Sequence, residues 1–254
     1  AGNAHIGADL ASIQSYLETL SNVSPSERDQ ETAAWAMALP EQKRLLRSSR
    51  GYSAVWSEYI KAVEREIEVR DYDYRQRAEY AESVLTNLLC SRPLSVGTIL
   101  NPLQADPLVD VLRTGDSLYV ITSHLRPEAY VHELVHVYLD ALLRQWAPII
   151  SARKDLLNAV YEPMLHFSYA WDRSASSWMN VFSETLVRCL TVWALSGGNR
   201  ESWEQQVGAM VCDGFLYAPF VSEAIASAKQ PLTEQWLIDC LDACEAADIN
   251  VGAV

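Results

Sequence analysis

Two histidines four residues apart in an otherwise apolar segment constrain this chain more than any other feature. The stretch reads Ala129-Tyr130-Val131-His132-Glu133-Leu134-Val135-His136-Val137-Tyr138-Leu139-Asp140. On a helix, residues i and i+4 share one face, a single turn apart, so both imidazoles can reach one point. Pro127 suits a first helical turn, and Glu128 and Glu133 favour helix. Polar groups among Val131, Leu134, Val135, Val137, Leu139 and Leu142 are costly unless they find a partner. A metal ion, zinc by expectation, is the partner this spacing suits. Glu133 then projects to the side, where it can take a proton from metal-bound water. The alternative is a chance His-Glu-x-x-His, with two core histidines and a solvated glutamate.

Three protein ligands and a water make a catalytic zinc site, so a third ligand is needed. Asp140 is too far: eight residues from His132 is about 12 Å along a helix axis. It is read either as a group orienting a ligand histidine or as a surface carboxylate. The spacing HExxHxxGxxH is absent, because Leu139 and Leu142 stand at its Gly and His positions. Glu184 is the preferred candidate. From Val181 to Leu195 the only charged residues are Glu184 and Arg188, which predicts a helix buried nearly all round. A buried carboxylate there needs either the metal or Arg188, four residues on, as its partner. Glu162 is the runner-up ligand. Tyr169, His166 and Tyr217 are candidates for steadying an oxyanion, with His166 equally readable as a helix-end histidine.

His132-Glu133-Leu134-Val135-His136 followed by Ser183-Glu184-Thr185-Leu186-Val187-Arg188 resembles the gluzincin clan of zinc metallopeptidases. Ile99-Leu100-Asn101-Pro102-Leu103, the strand before the helix and the Tyr-x-Trp stretch before Glu184 also resemble a bacterial peptidase-like domain family of unknown function. The resemblance covers about residues 95–195. It implies a zincin-like fold, with His132, His136 and Glu184 on zinc and Glu133 as general base for peptide-bond hydrolysis. A peptide or protein is then the substrate. The thermolysin-type pattern has Asp four residues after the ligand Glu; Arg188 stands there instead. The competing readings are a zinc-binding but catalytically inactive interaction or structural protein, and a metal-free helical interaction domain.

The 254 residues carry a formal charge of −13, with 8 Trp and 12 Tyr against 4 Phe. No basic stripe is available for nucleic acid, and no run of about 18 apolar residues suggests a membrane span. Five cysteines at apolar helical positions read as small buried side chains in a reducing compartment, rather than as a disulfide framework. This points to the cytoplasm, with an exported form open if a signal peptide has been removed. Oligomeric state is not readable.

The expected class is mainly α (α+β), with a small sheet preceding the HExxH helix. An N-terminal helical region (1–92) is followed by a zincin-like domain with C-terminal helices (93–254); the alternative is one continuous globular unit. Helices are expected over 6–22, 24–39, 41–49 and 52–89, the last broken near Asp71-Tyr72-Asp73. Strands are expected at 96–100, 108–112 and 117–122, the latter two as a hairpin. A strand edge beside a metal site can pair with an extended peptide; the alternative is a structural hairpin. Further helices are expected at 127–146, 148–166, from a cap at Ser176 or Ser177 to 195, and at 200–212, 217–229 and 232–246. Gly197-Gly198 should stop the helix that precedes them.

Overall fold

The computed structural model describes residues 52–89, 95–101, 109–114, 117–197, 199–228 and 231–247. The three helices expected before residue 50 lie outside these. Among the described residues the chain is mostly helical, with one three-stranded sheet: a helical α+β class. Its contacts divide into two compact units. One holds described residues 52–73 and 95–125, the other 74–89 and 126–247. The sheet therefore clusters with the N-terminal part of the first helix, and not with the segment that follows it in sequence.

Helix α1, Tyr52–Leu89, runs unbroken through Asp71-Tyr72-Asp73. Aspartate is a weak helix former but no breaker, and neither Pro nor Gly interrupts the run. Strands β1 (Ser95–Leu100), β2 (Val109–Thr114) and β3 (Ser117–Thr122) form the sheet in the order β1-β3-β2. β2 and β3 are the expected antiparallel hairpin, with Val111 opposite Val120. β1 pairs with β3 in parallel, Thr98 opposite Val120. β3, the strand before the HExxH helix, is thus the central strand and is paired on both sides. The outer strands of the sheet are β1 and β2. In the same unit, Glu66 on α1 accepts the Leu125 backbone N–H at 2.8 Å and lies 3.5 Å from His124 Nδ1.

The second unit is built around two helices, α2 (Pro127–Ala152) and α4 (Ala175–Ser196). α2 carries Pro127 at its start and continues through Pro148, where a new helix was expected. Proline forfeits one backbone hydrogen bond, but Trp146 and Ile150 on either side of it are fully buried and hold the axis. The Ile150 carbonyl accepts the indole N–H of Trp178 from α4 at 2.9 Å. Residues 74–89 of α1 contact α2 through Tyr74, edge-on to Tyr130, and through Glu82, which accepts the Tyr138 hydroxyl at 3.3 Å. A short 3₁₀ turn (Lys154–Leu156) leads into α3 (Leu157–His166).

α4 is apolar nearly all round, and Val181, Phe182, Leu186, Val187, Cys189 and Leu190 are all buried. Its N-cap is Ser174, whose side chain accepts the Ser177 N–H. Ser177 lies inside the helix and instead donates to Asp172 at 2.8 Å. Gly197, left-handed at φ 59°, ends α4 as expected. Helices α5 (Arg200–Cys212), α6 (Ala218–Ser227) and α7 (Glu234–Glu245) complete the unit, α6 packing on α4. Cys189, Cys240 and Cys244 are free and buried among them, and Cys212 is free and exposed. Burial pushes the Cys189 thiol up to about 12, so it is an inert packing group. No helix among the described residues is long and apolar enough to cross a membrane.

Gly214 marks a close approach. Its φ is +89°, and a Cβ there would meet Pro163 Cβ at 2.7 Å and Met164 Cε at 2.9 Å. Gly214→Ala is expected to destabilise the protein by about 2 kcal/mol or more, from combined backbone strain and overpacking. A urea denaturation midpoint measures it; an unchanged midpoint would contradict this packing.

Candidate metal centre

α2 and α4 bring His132, His136 and Glu184 together from two directions. The HExxH turn puts both rings on one face of α2, with the two Nε2 atoms 3.1 Å apart. From α4, Glu184 Oε2 lies 3.5 Å from His136 Nε2, and Oε1 lies 3.8 Å from His132 Nε2. One ligand atom from each residue fits within 4.8 Å of the others, a group that could hold a metal ion. Zinc held at about 2.0–2.1 Å in a tetrahedron separates its ligand atoms by about 3.4 Å. The His132–His136 spacing of 3.1 Å and the His136–Oε2 spacing of 3.5 Å lie on either side of that edge length. Two imidazoles and one carboxylate form a donor set suited to a first-row divalent metal ion.

Exposure is graded across the triad. The Glu184 side chain is 11% exposed, His132 24% and His136 39%. The carboxylate is the most buried of the three, and both histidines are partly exposed to solvent.

The electrostatics follow from that burial. Burial pushes His132 down to about 4, against the pull of Glu184, so it is neutral at pH 7. Burial also works against charge on His136, but its hydrogen bond to Glu184, together with the negative charges of Glu184 and Glu133, outweighs it and raises His136 above its ordinary value. Burial alone would raise Glu184; its hydrogen bond to His136, with His132 and Arg188 nearby, holds it down to about 2. A metal ion needs both imidazoles neutral, so the His136 proton must leave on binding. Affinity is therefore expected to rise with pH through the raised His136 value, and to be weaker below it. Zinc or cobalt titrations across pH 5–8 check this sign. A pH-independent affinity over that range would contradict it.

Glu184 bonds Arg188, one of the two partners the sequence offered, and faces the two histidines with which it could hold the other, a metal ion. Its Oε1 accepts Arg188 Nε at 2.8 Å while the carboxylate also faces both histidines. Arg188 in turn donates from its NH2 group to the Tyr169 hydroxyl at 2.7 Å, and its guanidinium lies over the Phe215 ring, 4.6 Å from the centroid. Tyr169 is itself fixed. α3 ends in a turn where Tyr169 N–H bonds Met164 O and Ser168 N–H bonds Leu165 O, with Ser168 left-handed at φ 64°. Asn180 of α4 then donates to the Tyr169 carbonyl at 2.8 Å. Phe215, Asn180 and the Arg188–Tyr169 link were not anticipated. Only the Glu-x-x-x-Arg spacing hinted at any of them.

Glu133 lies next to the triad and acts electrostatically on His136. Four other candidates fall elsewhere. Glu162 is exposed and pairs with Arg173 at 3.4 Å, so the runner-up ligand is a surface group. Asp140 is half exposed and salt-bridged to Arg144, which settles it as a surface carboxylate. Tyr217 is buried, and its hydroxyl donates to the Leu156 carbonyl at 2.9 Å, which makes it a packing residue. His166 is exposed at the end of α3, its ring edge-on to Phe167, and joins neither the triad nor the Arg188–Tyr169 link.

No family model, curated protein or solved structure matches this chain.

Proposed function

We propose that the protein is a zinc-dependent peptidase of gluzincin type, in a zincin-like fold. The observation that carries this reading is the convergence of His132 and His136 with Glu184, with Glu133 between the two histidines. A purely structural zinc site is closed by four protein ligands. Among the described residues this one offers three, its histidines are partly exposed, and Glu133 acts electrostatically on His136.

His132, His136 and Glu184 hold the ion. When bound, it supplies a Lewis acid that polarises a carbonyl and acidifies water. Glu133 takes the proton of the attacking water and delivers it to the leaving amine. Tyr169 accepts a hydrogen bond from Arg188, so its own O–H remains to donate, and among the described residues nothing accepts it. It is the candidate donor to the oxygen on which charge develops.

Cleavage of a mixed peptide library by the full chain tests this. Activity is expected with zinc, lost on chelation and restored by zinc alone. Zinc uptake without cleavage of any peptide would leave a metal-binding protein and reject the peptidase.

A further inference from the structure

We propose that Arg188 is a positioning residue that restricts Glu184 to a single ligating oxygen, Oε2, and so keeps one metal coordination position open for water. This rests on the metal-site reading above.

The two oxygens of Glu184 have different surroundings. Oε2 lies 3.5 Å from His136 Nε2, close to the tetrahedral edge of about 3.4 Å. Oε1 faces the other histidine, 3.8 Å from His132 Nε2, and accepts Arg188 Nε at 2.8 Å. That bond joins two charged groups and draws electron density from Oε1, which weakens it as a ligand.

Arg188 cannot easily yield its hold. Its NH2 group donates to the Tyr169 hydroxyl at 2.7 Å, and the Phe215 ring lies under the guanidinium at 4.6 Å. The planar fork is therefore pinned on both arms. Tyr169 is anchored in turn by the α3 end turn and by Asn180.

The geometry has a consequence for the metal. A carboxylate with both oxygens unencumbered can chelate, and the second oxygen then occupies the place a water needs. Holding Oε1 away leaves two nitrogens and one oxygen from the protein, the open arrangement that catalysis requires. A guanidinium present only to neutralise a buried carboxylate would affect stability, but not the number of ligating oxygens.

Cobalt(II) substituted for zinc distinguishes the two, because its visible bands are intense when four-coordinate and weaken as the coordination number rises. The full-length wild type is expected to show the intense four-coordinate bands. Arg188→Met, with no donor, is expected to lose them in favour of a weaker five-coordinate spectrum. Arg188→Gln sets an amide N–H where Nε stood and should restore most of the wild-type spectrum. Arg188→Leu serves as a second donor-free variant if Arg188→Met does not fold. A folded Met or Leu variant that binds cobalt with the wild-type spectrum would overturn the inference and leave the metal site standing. A wild type that takes up neither cobalt nor zinc would instead remove the metal reading itself.

Discussion

Glu133→Gln is expected to lower the rate of peptide cleavage by about 10²–10⁴-fold, the usual contribution of a positioned general base. Its metal content should not change. The amide has the size and shape of the carboxylate but cannot accept the proton of the attacking water. Glu133 stands between the two histidines in sequence and outside the group of three that could hold the ion. The loss should therefore fall on kcat at constant zinc stoichiometry. Equal cleavage by both proteins would reject Glu133 as the base. Equal inactivity, with zinc bound in both, would favour the binding or structural role.

Glu184→Ala is expected to weaken zinc binding by at least about 100-fold, beyond the loss typical of residues that merely support a ligand. It also leaves Arg188, 31% exposed, without the carboxylate it bonds. Removing one partner of a largely buried ion pair is destabilising in its own right, so the folded fraction must be measured beside the metal content. Glu162→Ala and Asp140→Ala are the matched controls. Their carboxylates pair with Arg173 and Arg144 at the surface, and both variants should retain wild-type zinc affinity. Unchanged zinc affinity in Glu184→Ala would move the third ligand elsewhere.

What could be read in advance was local. The His132–His136 spacing dictates a shared helix face, and the apolar run from Val181 to Leu195 dictates a buried helix, both from periodicity alone. Their meeting could be guessed only because a carboxylate inside such a helix demands a partner. The misreadings have equally local causes. Pro148 signals a helix boundary unless Trp146 and Ile150 are already committed to the core, which sequence does not reveal. Ser174, Ser176 and Ser177 are interchangeable as caps until the loop before α4 chooses, here through the Asp172–Ser177 bond. The parallel pairing of β1 with β3 joins strands separated by β2, and nothing in either strand encodes it. Arg188 was legible as a rival for Glu184. That one carboxylate serves both the arginine and the histidines depends on its having two oxygens in different surroundings, a matter of geometry and not of spacing.

The most direct test of the account is where a zinc ion sits in the folded chain. Crystals of the full-length protein grown with zinc, with anomalous data collected on both sides of the zinc edge, should give one dominant peak. It is expected about 2.0–2.2 Å from Nε2 of His132, Nε2 of His136 and one oxygen of Glu184. A peak at other residues, or none at these three in zinc-saturated crystals, would contradict the account.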